Sequence, residues 1–282
     1  MFLWGSSFVA MKYAIGRIDP MLVVCARMII ASLCFLPFVR SFSRLHLGRK
    51  HLLPLFAMGI CEPCLYFLFE AAALNLTSAS QASMITTMLP LLVAVAAALF
   101  LGESITRRVV AGLVLAAVGA VWLSLAALVS EHAPNPVLGN FLEFLAMVTA
   151  TGYIILVKKL SADLPSLFLT AVQSFIGAVF FLFIVVIMDI HMPEAVSVSA
   201  LLSVLYLGTF VSVGAYGLYN FGVSRVPANQ AAAFINLIPL WAIILGVVLL
   251  GERFTLWQFI AGLLIFVGVM MTQQHGTRPE GD

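Results

Sequence analysis

Two stretches of the chain, QASMITTMLPLLVAVAAALFLGESIT at residues 81–106 and QAAAFINLIPLWAIILGVVLLGERFT at residues 230–255, follow one pattern. Both read Q-A-x7-P-x11-G-E-x-x-T in one register without a gap, 149 residues apart. A repeat of this length indicates two copies of one structural unit. The matched pairs are Gln81/Gln230, Ala82/Ala231, Pro90/Pro239, Gly102/Gly251, Glu103/Glu252 and Thr106/Thr255.

The composition indicates that the bilayer is the solvent of this chain. Of its 282 residues, 63% are hydrophobic and 9% are charged, whereas an ordinary soluble domain carries about 25% charged residues. So few charges exclude a water-soluble monomer. The net charge of +2 gives no basic excess that would indicate nucleic-acid binding.

Apolar runs predict ten transmembrane helices of about 20 residues each. Because five helices per copy is an odd number, the second copy must cross the membrane in the opposite sense, as in the inverted repeats of secondary transporters. We therefore expect an all-α membrane protein of ten transmembrane helices, arranged as two inverted five-helix repeats around a central cavity, with repeats at 1–129 and 138–272 and a tail at 273–282. The predicted spans are 2–16, 20–38, 52–74, 80–101, 107–129, 138–157, 166–188, 200–222, 230–250 and 256–272.

Basic residues in the loops predict the orientation. If the N-terminus is cytoplasmic, the inward loops and the tail hold ten Lys and Arg residues, whereas the outward loops hold only Arg17 and Arg253. Such a bias is typical of cytoplasmic loops. We expect a multi-pass protein of the cytoplasmic (inner) membrane with both termini in the cytoplasm. The first span is short, so we expect the native start to lie upstream of Met1.

The opening WGSSFVAMK at residues 4–12, Arg27 of the second span and the doubled P-x11-G-E-x-x-T resemble the ten-helix EamA-type members of the drug/metabolite transporter superfamily. The resemblance covers nearly the whole chain. It implies a secondary transporter, often an exporter of amino acids or other small metabolites, with a cavity between the two repeats. It does not identify the substrate.

Five charged residues fall within predicted spans: Lys12, Arg27, Glu62, Glu70 and Glu143. Each unpaired charge costs about 2.5–3.5 kcal/mol at the helix centre, so these side chains require partners or a wet cavity. Counted by helical rise, Lys12, Glu70 and Glu143 lie at one level. We expect Glu70 to pair with Lys12 or Arg27; alternatively, Lys12 and Glu143 extend to the headgroups.

Glu62 lies deeper, about 20 Å from the outer boundary, with no cation at its depth. A carboxyl that binds a proton in one state and releases it in another is a natural coupling group, and no His lies in any span to compete. We therefore predict Glu62, with Glu70, as the coupling residues. The alternative is that Glu62, next to Pro63, stays protonated and satisfies a freed backbone carbonyl.

Helix periodicity and the prolines select the cavity residues. Glu62, Tyr66 and Glu70 form one stripe, whose counterpart is Tyr216, Tyr219 and Asn220. Pro90 and Pro239 free backbone carbonyls in mid-bilayer, and Thr87 and Asn236 lie three residues before them. The alternative role of Thr87 and Asn236 is hydrogen bonding between helices. The predicted cavity set is Trp4, Ser7, Arg27, Glu62, Tyr66, Glu70, Thr87, Tyr153 (matched to Phe8), Tyr216, Asn220, Asn236 and Trp241.

Other motifs predict structural roles. In G-E-x-x-T the glycine ends a helix in the left-handed conformation, the threonine caps the next helix, and the glutamate lies ahead of a positive helix terminus. Small residues are expected to allow close helix contact. These small residues are Gly112, Ala116, Gly119, Gly208, Gly214 and Gly217.

Several functions compete within this frame. An alternating-access carrier of amino acids or related zwitterions is the leading prediction, coupled to a proton or a counter-substrate; a carrier of organic cations is the alternative. An intramembrane lipid-modifying enzyme is disfavoured because all five His lie outside the spans. Cys61-Glu-Pro-Cys64 has no second pair, so we expect no metal and no cofactor. The expected partners are a small-molecule substrate and the lipid bilayer, with the protein a monomer or dimer.

Overall fold

The computed structural model describes residues 1–45, 47–101, 107–126, 133–191, 193, 195–226, 231–232, 234–253 and 255–273. Gly102, Glu103, Thr106, Gln230 and the tail beyond residue 273 lie outside the described residues, so the predictions made for them stay predictions. Within the described part every regular element is helical and no strand occurs.

Helical segments follow the predicted spans, and we label them α1 to α10 in chain order. Six of them are long and apolar enough to cross a membrane: α2, α3, α4, α6, α7 and α8. The helical membrane fold is thereby confirmed, while the number of crossings and the inverted repeat stay predictions. The bounds are α1 Phe2–Ile15, α2 Pro20–Phe42, α3 Arg49–Leu76, α4 Ala79–Ile85 continued through Thr86–Met88 and Leu89–Leu101, α5 Arg107–Leu125, α6 Pro136–Leu160, α7 Ser166–Ile187, α8 Val198–Arg225, α9 Phe234–Leu250 and α10 Leu256–Gln273.

Polar side chains set where several helices begin. The side chains of Asp19, Ser78, Asn135 and Ser197 accept backbone N–H groups in the first turns of α2, α4, α6 and α8. Gly251 ends α9 with φ 66°, and the N–H of Gln258 donates to Thr255 at the start of α10. The roles predicted for Gly251 and Thr255 in the second G-E-x-x-T segment are therefore confirmed.

Four of the helices are interrupted near the middle of the molecule. In α3 the backbone is extended at Glu62, with φ −150° and ψ 120°, inside a wide turn at Ile60–Leu65. A similar wide turn spans Leu207–Ala215 in α8. In α4 and α9 a 3₁₀ turn precedes the proline, at Thr86–Met88 and Phe234–Leu237, and these two turns pack against each other.

Helix packing leaves the interrupted segments around a common centre. The helices α5 and α10 form a tightly packed pair, α3 packs on α6, α2 on α7, and α1 on α9. Gly119 and Gly208 lie where a Cβ would meet a neighbouring helix at 2.8 Å or less, as predicted. A Cβ added at Gly217 would meet no other helix within 4 Å in the described part of the chain. The expected close contact at Gly217 is therefore wrong.

The helices α3 and α6 run antiparallel along their contact. Gly139 near the start of α6 packs on Ala73 of α3 and on Thr77, which follows α3, whereas Gly152 packs on Cys61 of α3. The two ends of α6 therefore lie at opposite ends of the molecule. We call them the Lys12 end, where Thr77 lies, and the Lys158 end.

Candidate substrate cavity

A central cavity of about 40 Å³ lies among α1, α2, α3, α4, α6, α8 and α9. A buried water needs at least about 10–15 Å³ of such space, so the cavity holds only a few waters in this conformation. An amino acid would require the walls to move apart. The lining residues are Trp4, Ser7, Phe8, Arg27, Glu62, Tyr66, Phe67, Glu70, Thr86, Leu89, Met147, Ala150, Tyr153, Ile154, Tyr216, Tyr219, Ile235 and Ile238.

Aromatic rings form one wall of this cavity. The Trp4 ring lies 5.2 Å from Tyr216 and 4.8 Å from Tyr219, centroid to centroid. Tyr153 contacts Tyr216 at 6.3 Å, edge to face. The indole N–H of Trp4 and the hydroxyl of Tyr219 are both buried without a hydrogen-bond partner among the described residues. Two polar groups in this wall are therefore available to a ligand.

Two carboxylates in the cavity accept hydrogen bonds from tyrosines. The hydroxyl of Tyr216 on α8 donates to Glu62 on α3. The hydroxyl of Tyr66 donates to Glu70, one turn along the same helix, at 2.9 Å. Glu62 and Glu70 are 5% and 4% exposed, so the stripe predicted at a spacing of four residues does face inward.

Arg27 is the cation of the cavity wall and is itself 2% exposed. Its Nε donates to the hydroxyl of Ser212 at 2.7 Å, and its guanidinium carbon lies 4.2 Å from the centre of the Phe67 ring. Among the described residues no carboxylate lies within 4.0 Å of it. A direct ion pair of Glu70 with Arg27 or Lys12, as expected, is therefore wrong: Tyr66 supplies the hydrogen bond to Glu70, and Arg27 acts on this carboxyl electrostatically from beyond 4.0 Å.

Eight of the twelve predicted cavity residues line the cavity: Trp4, Ser7, Arg27, Glu62, Tyr66, Glu70, Tyr153 and Tyr216. Their role in binding remains untested. The other four lie elsewhere, each for a physical reason.

Thr87 and Asn236 were predicted one position too far along their helices. Thr86 and Ile235 line the cavity in their place, while Thr87 donates to the carbonyl of Met84 at 2.7 Å. Neighbouring residues of a 3₁₀ turn lie about 120° apart around its axis, because the turn has three residues. The distance from the proline, by which Thr87 and Asn236 were selected, therefore does not determine which residue faces the cavity. The side chain of Asn236 is 9% exposed and has no partner among the described residues.

Asn220 and Trp241 also lie outside the cavity lining. Asn220 lies behind Tyr153, with its Oδ1 2.7 Å from the tyrosine hydroxyl, and thereby positions that ring. Trp241 is 37% exposed and packs edge to face on Phe2 at 5.1 Å. Its polar indole group suggested a cavity role, but helix rotation places it on the outside.

Several lining residues were not predicted. Tyr219, one turn after Tyr216, was noted only as part of the second stripe, and Phe67 and Thr86 were missed. A spacing of three or four residues from a predicted member could have indicated Tyr219. The apolar members, such as Met147 and Ile154, resemble ordinary core residues and give no such signal.

Lysines at the two ends of the molecule make equivalent contacts. The ammonium of Lys12 donates to the carbonyls of Leu74 and Thr77 at the end of α3. The ammonium of Lys158 donates to Val223 at 3.0 Å and Val226 at 2.9 Å, at the end of α8. In both places a cation meets the last carbonyls of a helix, where cations are favoured.

Lys12 therefore binds helix carbonyls, where we expected it to pair with Glu70 or to extend to the headgroups. The acceptors at the two ends are separated by 149 residues, as in the sequence repeat. Aligning Lys12 with Lys158 places Tyr153 at the position of Ser7 rather than Phe8, and both of these residues line the cavity.

Glu252 performs a capping role, but for a different helix from the one predicted. Its carboxylate accepts the N–H groups of Ala79 at 2.7 Å and Ser80 at 3.0 Å, at the start of α4. We expected it to serve α10, which follows it in sequence. Glu252, which follows α9, therefore connects the end of α9 to the start of α4. Glu103, the counterpart of Glu252 in the first repeat, lies outside the described residues.

A second cavity of about 890 Å³ opens at the Lys12 end. Its lining comes from four regions of the chain and includes the polar side chains of Lys12, Arg17, Asn75, Gln81, Glu252 and Arg253. At the Lys158 end, Asp163 accepts hydrogen bonds from Lys50 at 2.7 Å and His51 at 3.0 Å. These bonds lower the pKa of Asp163 to about 2.

Comparison with known proteins places this architecture. The model of the EamA-like transporter family matches residues 1–125 and again residues 137–273. The chain belongs to the EamA-like transporter family.

Relatives agree with this membership. The chain is 26% identical to the uncharacterized transporter YetK of Bacillus subtilis over 99% of its length and 86% of the relative's. It is 25% identical to an uncharacterized transporter of Archaeoglobus fulgidus over 94% of this chain and 93% of the relative. A WAT1-related chloroplastic protein of Arabidopsis thaliana is 26% identical over 100% of this chain and 68% of the relative.

A solved structure shares the fold. It is described only as the crystal structure of a protein and matches 95% of this chain and 92% of its own, with a TM-score of 0.67 and 22% sequence identity. EamA membership and the transporter names of the relatives point to a membrane transporter rather than an enzyme.

Proposed function

We propose that this EamA-like transporter is a secondary, alternating-access carrier of amino acids or related small zwitterions, and that it exports them across the cytoplasmic membrane. The observation that carries the proposal is the central cavity, in which Arg27, Glu62 and Glu70 line one small space between the halves of the chain. Buried ionisable residues within a membrane are typical of a substrate or ion pathway.

The charge of the wall favours a ligand that carries both signs. The guanidinium of Arg27 can accept a carboxylate, and Glu62 or Glu70 can accept an ammonium group. The indole N–H of Trp4 and the hydroxyl of Tyr219, which have no partner among the described residues, offer further hydrogen bonds to an acceptor. The apolar members of the lining, such as Leu89 and Ile238, suit a small aliphatic or aromatic side chain.

Internal symmetry supports alternating access. The contacts of Lys12 and Lys158 are alike, and the two 3₁₀ turns before Pro90 and Pro239 meet at the cavity. These features suit two inverted repeats, 1–129 and 138–272, that rock about a site near mid-membrane. A cavity too small for an amino acid suits a conformation in which the halves have closed together.

An organic cation is the second candidate substrate. The lining holds two glutamates but one arginine, and the rings of Trp4, Tyr216 and Tyr219 lie together beside Glu62. Aromatic faces next to a carboxylate attract ammonium groups. In this alternative Arg27 remains a structural cation held by Ser212 and Phe67.

Counterflow in proteoliposomes tests the proposal. Vesicles with the purified protein would be loaded with unlabelled compound and diluted into labelled compound, after a thermal-shift screen of amino acids, polyamines, quaternary amines and organic acids. We expect saturable counterflow of at least one amino acid. A response confined to quaternary amines supports the second candidate, and no saturable exchange of any compound contradicts a carrier.

Direction and coupling need an oriented preparation. Export predicts that inside-out vesicles accumulate the substrate when a proton gradient or a counter-substrate gradient is imposed. Right-side-out vesicles should instead lose it under the same gradient. Accumulation in right-side-out vesicles alone would show import.

A further inference from the structure

Glu143 on α6 is a buried carboxyl that the structure leaves without a hydrogen bond. It is 0% exposed, and neither carboxyl oxygen has a partner among the described residues. The expectation that it extends to the headgroups is therefore wrong. A buried glutamate with a structural role should have hydrogen-bond partners. Asn140, one turn away on the same helix, has such partners in Gln81 and Thr77.

An ionised carboxylate without a partner in an apolar interior is strongly disfavoured. In this conformation Glu143 must therefore carry a proton or meet a mobile cation. Glu143 lies near one acidic neighbour and lacks the several ligands that a metal ion requires. A proton is the simpler occupant.

Glu143 lies on α6 between the residues that adjoin the two cavities. Asn140, Glu143 and Met147 share one face of α6. Asn140 donates to Gln81, which lines the cavity at the Lys12 end, whereas Met147 lines the central cavity. Glu143 lies between them, about 6 Å along the helix from Met147.

Antiparallel packing places Glu70 opposite Glu143. Gly139 contacts Ala73 and Gly152 contacts Cys61. Glu70 lies about one turn before Ala73 and Glu143 about one turn after Gly139, so the two glutamates lie at the same level of the antiparallel pair. Glu70 and Tyr66 are the titratable groups of α3 that face Glu143. Glu62 lies two turns further along α3, beside Tyr216.

The other elements packed on α6 bring no charge to this level. The sequences of α4 and α7 contain no titratable side chain. The arginines of α5 lie at the start of that helix. It is the opposite end of α5, at Ser124, that contacts Asn140 near the level of Glu143. From α8, Tyr216 and Tyr219 face the central cavity, and Lys12 of α1 binds the carbonyls of Leu74 and Thr77.

We propose that Glu143 is the proton-binding residue of the transport cycle and exchanges its proton with Glu70. This inference rests on the proposed carrier function. In the exchange, the O–H bond of Glu143 breaks as an O–H bond forms on Glu70, so the total charge of the pair is unchanged. When the ammonium group of a substrate binds Glu70, that proton leaves to water in one of the cavities. Proton and substrate then compete for one carboxylate, which produces antiport.

Glu143→Gln tests this assignment, because glutamine keeps the shape and removes the proton site. In proteoliposomes we expect counterflow within about twofold of the wild type, with loss of accumulation driven by a pH gradient and of the accompanying proton movement. Accumulation equal to the wild type would overturn the proposal. So would loss of counterflow in a folded variant, because Glu143 would then be needed for exchange itself.

Two further variants and one spectroscopic measurement complete the test. Glu252→Gln is the matched control: its carboxylate is paired, so proton-driven accumulation per folded molecule should persist. Wild-type protein should show a protonated-carboxyl infrared band that is absent from Glu143→Gln. If Glu143→Gln does not fold, Glu143→Asp should shift the pH profile of accumulation, and an unchanged profile contradicts the proposal. Absence of counterflow in the wild type would refute the carrier function separately, whatever the infrared result.

Discussion

At the scale of single residues, substitutions of Arg27 distinguish between the two candidate substrate classes, amino acids and organic cations. If its guanidinium binds a substrate carboxylate, Arg27→Gln should weaken amino-acid binding by about 10- to 100-fold, because hydrogen bonds to charged groups contribute about 1.5–3 kcal/mol. Arg27→Lys keeps the charge and should lose less. Concentration dependence of counterflow measures both. Unchanged amino-acid affinity in Arg27→Gln would favour the organic-cation alternative.

Two tyrosines of the aromatic wall form a matched pair for a stability experiment. The hydroxyl of Tyr216 donates to Glu62, so Tyr216→Phe leaves a buried carboxylate unpaired and should cost about 1–3 kcal/mol. The hydroxyl of Tyr219 has no partner among the described residues, so Tyr219→Phe should leave the melting temperature unchanged or higher. Thermal unfolding in detergent compares the two. The opposite order of melting temperatures would show that the hydrogen bonds are assigned wrongly.

At the scale of helices, the contact between α1 and α9 depends on Gly5. A Cβ there would lie 2.5 Å from the Cβ of Trp241 and 2.9 Å from the carbonyl oxygen of Ile238. Because a backbone atom cannot move aside cheaply, Gly5→Ala should destabilise the protein by about 1–3 kcal/mol. Melting temperature and counterflow should both fall.

Gly217→Ala is the control for that substitution. No neighbouring helix among the residues that the structure describes lies within 4 Å of its added Cβ, and alanine favours a helix over glycine by about 1 kcal/mol. Gly217→Ala should therefore be neutral or stabilising. Equal melting temperatures for the two variants would mean that α1 and α9 do not approach closely at Gly5.

At the scale of the whole molecule, the charge bias of the loops predicts which end faces the cytoplasm. Ala162 and Ala195 are exposed and flank α7. In a variant whose native cysteines are replaced, Ala195→Cys should react with a membrane-impermeant maleimide in intact cells, whereas Ala162→Cys should react only after permeabilisation. The reverse pattern would invert the topology, and labelling of both from outside would exclude a single crossing by α7.

Much of the fold could be predicted from the sequence because it depends on local chemistry. Apolar run length predicts the helices, Asp19, Ser78 and Ser197 cap helix starts, and Gly251 ends α9 in the left-handed conformation. The stripe of Glu62, Tyr66 and Glu70 also follows from helical period alone. These features depend on residues within a few positions of one another.

Only the tertiary structure decided which side chains meet across helices. Thr86 rather than Thr87 lines the cavity, and Glu252 caps α4 although it lies 173 residues from Ala79. Glu143 and Lys12 have the same depth when counted along their helices. In the folded protein, however, the carboxyl of Glu143 is buried, whereas the ammonium of Lys12 binds helix carbonyls. The position of a residue along its helix determines its depth in the membrane, and the helical period determines the face on which it lies. Its partner on another helix depends on how rigid helices pack together, which no short segment of sequence encodes.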